Sequence, residues 1–359
     1  MRNIEKDIMA IAFLQLVDLF KASLGGIIVA VAICPLAIWI AKRMGLLDVP
    51  GSAAHKQHSR PTPLAGGIAL FLSVIVVVLI FHLTNKDIFP LLVAVVIIFF
   101  FGLWDDAKGL GAPVKLTGQI LASILLIASD VSVRFLEGLS IPYLSGNMLI
   151  VLDWGVTILW FVGITNAFNL VDSMDGLAVG IAGIAFAFFM IMALVAQQTN
   201  LAKFSACLLG ICIGLYAFNV SPARLFLGDS GAQTLGFSLA AVAVLYTPYN
   251  LPQASSWFVP ILVLGVPVFD TALVVATRLF HHRPVFQGDR SHTYHKIVAL
   301  GLNPQRAVYA IHLTTLALNF LAYIALSLPP LQSNLIFCAA VLAGVILLIF
   351  LGRKNPQFE

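Results

Sequence analysis

Charged side chains are scarce in this chain of 359 residues: only 10% of them are Asp, Glu, Lys or Arg, whereas 60% are hydrophobic. A soluble domain averages about 25% charged residues, so an ordinary soluble fold is excluded. The mean hydropathy of +1.00 agrees. Apolar runs of about 20 residues, the length that crosses a bilayer, recur along the chain. The composition therefore indicates an integral membrane protein.

Cysteine is scarce as well, with four residues that lie inside apolar runs and show no CxxC spacing. Neither a disulfide framework nor a zinc site is expected, and the cysteines are interpreted as small hydrophobes. No cleavable signal peptide is expected either, because residues 8–20 contain Asp18 and no small-residue cleavage site. We interpret residues 1–21 as an N-terminal interfacial helix.

What the chain has in abundance is apolar segments, separated by charged residues, prolines and glycines. They predict an all-α polytopic membrane protein that forms a single domain over residues 1–359, with eleven transmembrane helices. No repeat is visible. The predicted helices lie near residues 22–41, 64–83, 89–104, 114–129, 150–171, 176–196, 201–220, 231–247, 256–280, 305–328 and 331–352.

The loops between these helices differ in charge when they are assigned alternately to two sides. One set, with the helix ends beside it, holds 14 of the 20 basic residues. The positive-inside rule places that set in the cytoplasm, so the N-terminus is predicted outside and the C-terminus inside. The cytoplasmic loops are 42–63, 105–113, 172–175, 221–230, 281–304 and the tail after residue 352.

The unusual polar residues also fall on the predicted cytoplasmic side. This clustering favours a catalytic face turned to the cytosol, because the two sets of loops were defined by alternation alone. The clustered residues are Asp105, Asp106, Asp172, Asp175, Asp229, Asp289, His292 and His295.

The outer segment 130–149 alternates in hydrophobicity and predicts a short β-hairpin.

Asp105 and Asp106 end the third helix, where the helix dipole disfavours two carboxylates without a compensating cation. Lys108 or solvent could compensate them, but in so acid-poor a chain the pair favours function. Asp172 and Asp175 precede the sixth helix, where only one of them could act as the N-cap.

Two asparagines, Asn166 and Asn169, stand just upstream of Asp172. Oxygen-rich clusters of this kind suit Mg²⁺, which takes one or two carboxylates together with substrate phosphates. Asp229 could likewise cap the eighth helix or serve a phosphate site. Gly228 beside it would allow a phosphate close to the backbone, and Arg224 is a suitable phosphate clamp.

The last cytoplasmic loop combines His292, His295 and Arg290, which can all donate hydrogen bonds to phosphate oxygens. A basic loop that touches anionic lipid headgroups is the alternative interpretation, and zinc is a poor one. Asp270 lies inside the ninth helix, and a carboxylate at membrane depth is either functional or paired. Both interpretations of Asp270 stay open.

Five cytoplasmic segments, in order, resemble the polyprenyl-phosphate N-acetylhexosamine-1-phosphate transferases. This is the WecA and TagO group of glycosyltransferase family 4, which is related to MraY. The similarity runs from Asp48 to about Asn303. The segments are LDVPGSAAHKQHSRPTPLAGG, DDAKGLGAPVKLTGQ, NAFNLVDSMDGLAVG, FNVSPARLFLGDSG and DRSHTYHK.

The resemblance implies transfer of N-acetylhexosamine 1-phosphate, with GlcNAc-1-phosphate as the first choice, from a UDP-sugar to undecaprenyl or another polyprenyl phosphate. UMP would leave, and the product would enter O-antigen, teichoic acid or similar cell-surface glycans. The implied setting is the cytoplasmic (inner) membrane. Mg²⁺ is the implied cofactor, with Mn²⁺ as its alternative. A homodimer is compatible with the family, although the residues alone do not give an oligomeric state.

The same resemblance assigns roles to individual residues. Asp105, Asp106, Asp172, His292 and His295 match catalytic positions, and Asp175 and Asp229 match metal and diphosphate positions. The residues expected to bind substrate are Asn166, Asn169, Asn219, Arg224, Arg290, Lys115 and Lys56. Two positions depart from the family pattern: Tyr294 stands inside the histidine motif, and Leu64 replaces a basic residue.

Three alternatives to this assignment are retained. An ion-coupled transporter would use carboxylates near the midplane, which here fits only Asp270. A CDP-alcohol phosphotransferase would need an Arg that the segment DGLAVG lacks. Within the family, UDP-MurNAc-pentapeptide is the alternative donor, although the Asp48–Gly67 segment and the histidine loop resemble the single-sugar branch more closely.

Overall fold

The computed structural model describes residues 2–49, 61–137, 144–248, 256–280 and 292–353, and these are almost entirely helical. Lys56, Asp289 and Arg290 lie outside the described residues. The helices are α1 Arg2–Met44, α2 Gly66–Ile80, α3 Ile88–Lys108, α4 Ala112–Ala128, α5 Gly146–Val171, α6 Leu177–Val195, α7 Thr199–Asn219, α8 Gly228–Leu245, α9 Val259–Val263, α10 Gly265–Phe280, α11 Thr293–Ala299, α12 Pro304–Leu326 and α13 Pro330–Arg353. The strands β1 Leu47–Asp48 and β2 Thr62–Pro63 pair antiparallel.

Each of the eleven predicted segments coincides with a helix, which confirms the all-α polytopic fold. Seven described helices are long and apolar enough to span a membrane, and α2 and α4 are shorter apolar helices. The ninth segment is divided at Leu264 into α9 and α10. A proline and a glycine in this stretch, Pro260 and Gly265, explain the interruption, since both disfavour an uninterrupted helix.

The N-terminal segment does not form a helix of its own. α1 continues without a break from Arg2 to Met44, so residue 21 is not a boundary between an interfacial helix and the first span. No proline precedes Pro35 in this stretch, and nothing in the local sequence forces the helix to stop.

α1 packs closely against α7, and small residues bring the two backbones together. A Cβ atom on Gly210 would lie 2.0 Å from the carbonyl oxygen of Ser23, so only glycine permits this approach. In lipid, helices gain little from the hydrophobic effect and associate through such close packing. Gly210 and Gly214 form a GxxxG pattern on the α7 face that α1 covers.

The β-hairpin predicted for 130–149 is wrong in the flanks that the structure describes, and residues 138–143 lie outside the described part. The flanks contain no strand. Instead, the buried carboxylate of Asp153 on α5 accepts hydrogen bonds from the backbone N–H groups of Phe135, Leu136 and Glu137. These hydrogen bonds from three backbone N–H groups to one carboxylate replace the cross-strand hydrogen bonds that a hairpin would have made.

The alternation of loops corresponds to two opposite ends of the helix bundle. At the far end, parts of the loops near residues 85–88, 130–135, 197–201, 246–248 and 256–257 surround a cavity of about 1070 Å³. At the other end, which we call the carboxylate end, hydrogen bonds join the segment around residue 226 to residues 63, 106 and 175, and the charge of Asp175 acts on Tyr294 of α11. The predicted clustering of polar loops at one end is thus present in the fold.

Candidate active site

The carboxylate end is organised around the N-terminus of α8. Asp106, at the end of α3, accepts hydrogen bonds from the backbone N–H of Asp229 at 2.7 Å and of Ser230 at 3.1 Å, and from the Ser230 hydroxyl. The first N–H groups of a helix lack partners within that helix, and a carboxylate there is favoured by the helix dipole. Asp106 therefore caps α8 from another helix, and Asp229 does not act as the N-cap.

Gly228 makes this arrangement possible. Its φ of +70° lies in the left-handed region, and an added Cβ would fall 2.7 Å from a carboxylate oxygen of Asp106. A side chain at this position would therefore be strained by the backbone and would also displace the cap. The glycine is required by the contact between α3 and α8, in addition to any approach of a phosphate.

Lys115 of α4 lies between two carboxylates. Its ammonium nitrogen contacts Asp105 Oδ2 and lies 2.9 Å from Asp229 Oδ2. The second oxygen of Asp229 accepts a hydrogen bond from the Asn169 amide, and Asp105 Oδ1 accepts one from the backbone N–H of Leu110 at 2.6 Å. Lys115 thus holds a positive charge where two acidic side chains from different helices meet.

Three side-chain amides form a second network of hydrogen bonds, on the same helices that carry the residues around Lys115. Asn166 donates to Gln119 Oε1 at 2.7 Å, and Gln119 donates to Gln233 Oε1 at 3.1 Å. The residues come from α5, α4 and α8, so the network ties together the three helices that carry Asn169, Lys115 and Asp229. A satisfied polar network of this kind fixes the relative positions of its helices.

Asp172 and Asp175 occupy the turn between α5 and α6 and do not cap α6, whose N-cap is Gly176 without a side-chain hydrogen bond. Asp175 instead accepts a hydrogen bond from the backbone N–H of Ala223 at 3.2 Å. Burial, together with the negative charges of Asp229, Asp175 and Asp106, raises the pKa of Asp172 to about 8. The turn is therefore part of the same region of negative charge.

This raised pKa predicts how stability changes with pH in the absence of metal. Asp172 keeps a proton in the folded protein that the unfolded chain releases, so its contribution to stability falls as pH rises from about 4 to about 8. Asp172→Asn removes this dependence. In EDTA at pH 8.5, the Tm of the variant should be roughly 3 to 6 °C above that of the wild type. At pH 4.5 the two Tm values should differ little. A constant Tm difference across this range would contradict the assignment.

Two residues predicted to bind substrate, Asn219 and Arg224, contact groups other than the carboxylates. Asn219 is buried, accepts a hydrogen bond from the backbone N–H of Gly176 and donates to the Leu225 carbonyl. It thereby holds the Asp175 turn against the loop before α8. Arg224 is exposed on that loop, with its guanidinium 5.9 Å from the centre of the Phe218 ring.

The two histidines lie at the start of α11, which packs into the protein. His292 is buried, and its Nδ1 lies 2.8 Å from Asp270 Oδ2. The other carboxylate oxygen of Asp270 accepts the backbone N–H of Thr293. Asp270, for which the sequence left two interpretations open, is therefore paired, and this pairing is compatible with a functional role. His295 is half-buried, with its ring 6.5 Å from that of His292.

Tyr294 of α11 lies close enough to the acidic turn to be affected by its charge. Its side chain is buried, and burial together with the charge of Asp175 raises its pKa. The departure from the histidine motif thus places a phenol close to the acidic turn. Further along α11, the buried Lys296 donates to the carbonyl of Leu351 on α13 at 2.9 Å.

The residues present are compatible with a divalent metal ion. Among the described residues, no group of three His, Cys, Asp or Glu side chains is arranged to hold one. Mg²⁺ does not require such a cage, because it binds through one or two carboxylates, waters and substrate phosphates. The contact of the Lys115 ammonium with Asp105 and Asp229 indicates that the acidic region accommodates a cation.

Several residues of this site were missing from the sequence-based prediction. Gln119 lies four residues after Lys115, and Gln233 four after Asp229, so each pair shares a helix face. This spacing could have identified both glutamines. Ser230 and the pairing of Asp270 with His292 had no comparable local signal, because their partners lie far away in the sequence.

A family model described as Glycosyl transferase family 4 matches residues 88–247, which include α3 to α8. The chain is 29% identical over 347 residues, covering 96% of it and 95% of the relative, to a probable undecaprenyl-phosphate N-acetylglucosaminyl 1-phosphate transferase of Bacillus subtilis (strain 168).

Two further relatives extend the comparison. A decaprenyl-phosphate N-acetylglucosaminephosphotransferase of Mycobacterium tuberculosis (strain CDC 1551 / Oshkosh) is 30% identical over 351 residues, covering 89% of this chain and 85% of the relative. A phospho-N-acetylmuramoyl-pentapeptide-transferase of Levilactobacillus brevis (strain ATCC 367) is 33% identical over 240 residues. That match covers 62% of this chain and 74% of the relative.

Proposed function

The chain belongs to glycosyl transferase family 4, and from this membership we propose that it transfers N-acetylglucosamine 1-phosphate from UDP-N-acetylglucosamine to a polyprenyl phosphate. The observation that carries the proposal is the meeting of Asp105, Lys115 and Asp229 at one end of a membrane-embedded helix bundle. There a lipid phosphate and a water-soluble nucleotide sugar can reach the same charged groups.

The reaction exchanges one phosphoanhydride bond for another. An oxygen of the polyprenyl phosphate forms a bond to the sugar-bearing phosphorus of the donor, and the bond from that phosphorus to the UMP oxygen breaks. A phosphate monoester is largely ionised at neutral pH, since its second pKa is about 6. The nucleophile thus needs little activation, and catalysis consists mainly of positioning and charge neutralisation.

The described residues support separate roles for the two adjacent aspartates. Both oxygens of Asp106 accept hydrogen bonds from the start of α8, so its proposed role is to place Asp229. Asp105 contacts Lys115 and the Leu110 N–H, and it would hold the lysine toward the reacting phosphates. Asn169 would fix the orientation of the Asp229 carboxylate.

Mg²⁺, with Mn²⁺ as the alternative ion, is the proposed cofactor, and Asp229 and Asp175 would hold it. When bound, it would neutralise the donor diphosphate and polarise its oxygens. Lys115 would supply further positive charge, because its ammonium lies 2.9 Å from Asp229 Oδ2. Arg290 and Lys56 remain proposed phosphate ligands outside the described residues.

N-acetylglucosamine is the preferred donor sugar because of how much of each relative the chain matches. The two N-acetylglucosamine enzymes are matched over 95% and 85% of their length, whereas the muramoyl-pentapeptide enzyme is matched over 74%. A UDP-MurNAc-pentapeptide transferase is therefore the second candidate. A transporter has less support, since Asp270 is paired with His292 and Thr293.

The proposed setting is the cytoplasmic membrane with the carboxylate end facing the cytosol, because the basic residues concentrate in those loops. A homodimer is proposed as the assembly, and the exposed apolar face of α13 is available for lipid or for a second copy. The product would be a membrane-bound polyprenyl-diphosphate sugar for cell-surface glycan synthesis.

The test is UMP release by purified protein supplied with undecaprenyl phosphate, Mg²⁺ and a panel of UDP-sugars. We expect UMP only when lipid, Mg²⁺ and UDP-N-acetylglucosamine are all present. Release only with UDP-MurNAc-pentapeptide would assign the second candidate. Folded protein that releases no UMP with any donor would exclude the transferase activity and make a transport assay in proteoliposomes the next measurement.

A further inference from the structure

The pairing of Asp270 with His292 joins a transmembrane helix to the histidine loop, and no sequence pattern assigned it a role. Both side chains are buried, with 2% of Asp270 and 8% of His292 exposed. The two residues are 22 positions apart in the sequence: Asp270 lies on α10, and His292 is the N-cap of α11. A buried carboxylate needs partners that donate hydrogen bonds to it, and both oxygens of Asp270 have one.

The two oxygens have different partners. Oδ1 accepts the backbone N–H of Thr293 at 2.6 Å, and Oδ2 lies 2.8 Å from the ring nitrogen Nδ1 of His292. A carboxylate is only an acceptor, so His292 must carry its proton on Nδ1. In the neutral ring the remaining nitrogen, Nε2, is then a hydrogen-bond acceptor, and it is the atom that is left to contact a ligand.

We propose that Asp270 is a positioning residue that fixes the tautomer and orientation of His292 and thereby presents Nε2 as a hydrogen-bond acceptor to a donor group of the substrate, such as a sugar hydroxyl. The proposal rests on the proposed function for the identity of that substrate, but the pairing itself can be tested without turnover. The same carboxylate fixes the start of α11 through Thr293, so one residue sets both the ring and the helix that carries it.

The Asp270→Asn variant gives a sharp expectation because it replaces one oxygen by an NH₂ group. The Thr293 N–H requires an acceptor, so the remaining oxygen should take the Oδ1 position. The NH₂ group then faces Nδ1 of His292, which must accept instead of donate, and the ring proton moves to Nε2. A carboxylate-to-amide change therefore inverts the tautomer without changing the shape of the side chain.

The first readout is two-bond ¹H–¹⁵N correlation spectra of the full-length protein labelled with ¹⁵N-histidine, without substrate. His292→Gln identifies the His292 signals. We expect Nδ1 protonated in the wild type and Nε2 protonated in Asp270→Asn. An unchanged tautomer in the variant, or Nε2–H in the wild type, would overturn the proposal whether or not the protein releases UMP.

The second readout is the rate of UMP release. Asp270→Asn should lower kcat by about 100-fold, a typical loss when the residue that orients a functional histidine is changed. Asp270→Glu, which keeps the carboxylate, should recover most of the rate. In a His292→Gln background, Asp270→Asn should cost less than about 3-fold, because the two residues act as one unit. A full 100-fold loss in that background would mean that Asp270 acts through the fold and not through His292.

Asp153→Asn is the matched control. Asp153 is also a buried carboxylate that accepts backbone N–H groups, but it lies at the far end of the bundle. The control should lower Tm while leaving the His292 tautomer and kcat unchanged. If it lowered kcat as much as Asp270→Asn, lost stability would explain both effects and the positioning role would be rejected.

Discussion

Asp229→Asn is expected to lower UMP release by roughly 10³-fold while the protein stays folded. Both oxygens of Asp229 face donors, since Lys115 lies 2.9 Å from Oδ2 and the Asn169 amide donates to Oδ1. An asparagine must turn its NH₂ group toward one of these donors, and it also lacks the charge that a metal ion requires. The site would then lose both its proposed cation ligand and its alignment.

The measurement for Asp229→Asn is the initial rate of UMP release at saturating lipid, UDP-sugar and Mg²⁺, with Tm recorded for each sample. Asp153→Asn serves as the control for removing a buried negative charge elsewhere. A variant that retains a tenth of the wild-type rate would show that Asp229 is not a central residue of the reaction, although the transferase activity itself could still stand.

Lys115→Met is expected to have opposite effects on metal binding and on turnover. The ammonium contacts both Asp105 and Asp229, where a divalent cation would be attracted. Its removal should strengthen binding of Mn²⁺ to the substrate-free protein by about 10-fold, since one competing positive charge is lost. UMP release should nevertheless fall by roughly 10² to 10³-fold, because the lysine no longer neutralises the reacting phosphates.

Mn²⁺ binding can be followed by electron paramagnetic resonance of the free ion, without substrate and without turnover. Lys108→Met is the matched control, since Lys108 lies on the same side of the bundle, exposed in the last turn of α3. Lys108→Met should change neither the Mn²⁺ affinity nor the rate of UMP release. Weaker Mn²⁺ binding in Lys115→Met would show that the ion does not bind between these carboxylates.

The fold was largely predictable because hydropathy and charge act locally along a membrane chain. A segment of about 20 apolar residues has to satisfy its backbone hydrogen bonds internally, so it forms a helix wherever it occurs. The eleven predicted segments and the clustering of polar loops at one end follow from this rule. The family resemblance, drawn from the motifs in those loops, is confirmed by the relatives that cover most of the chain.

The predictions that failed involved competition between distant groups. The segment 130–149 alternates like a strand, but Asp153 takes the N–H groups that a hairpin would have used. The continuous α1 is an exception with a local explanation, because no proline ends the helix near residue 21. The competition for the N–H groups is not visible in the local pattern of 130–149, since Asp153 lies outside that segment.

The sequence by itself therefore determined the class of protein, its helices and which loops carry the chemistry. Only the tertiary structure decided what each polar residue does. Asp106 caps a helix that starts more than 120 residues later, Lys115 joins two carboxylates, and Asp270 orients His292. The physical reason is that a buried polar group must find partners, and in a helix bundle those partners come from neighbouring helices whose order in space the sequence does not state.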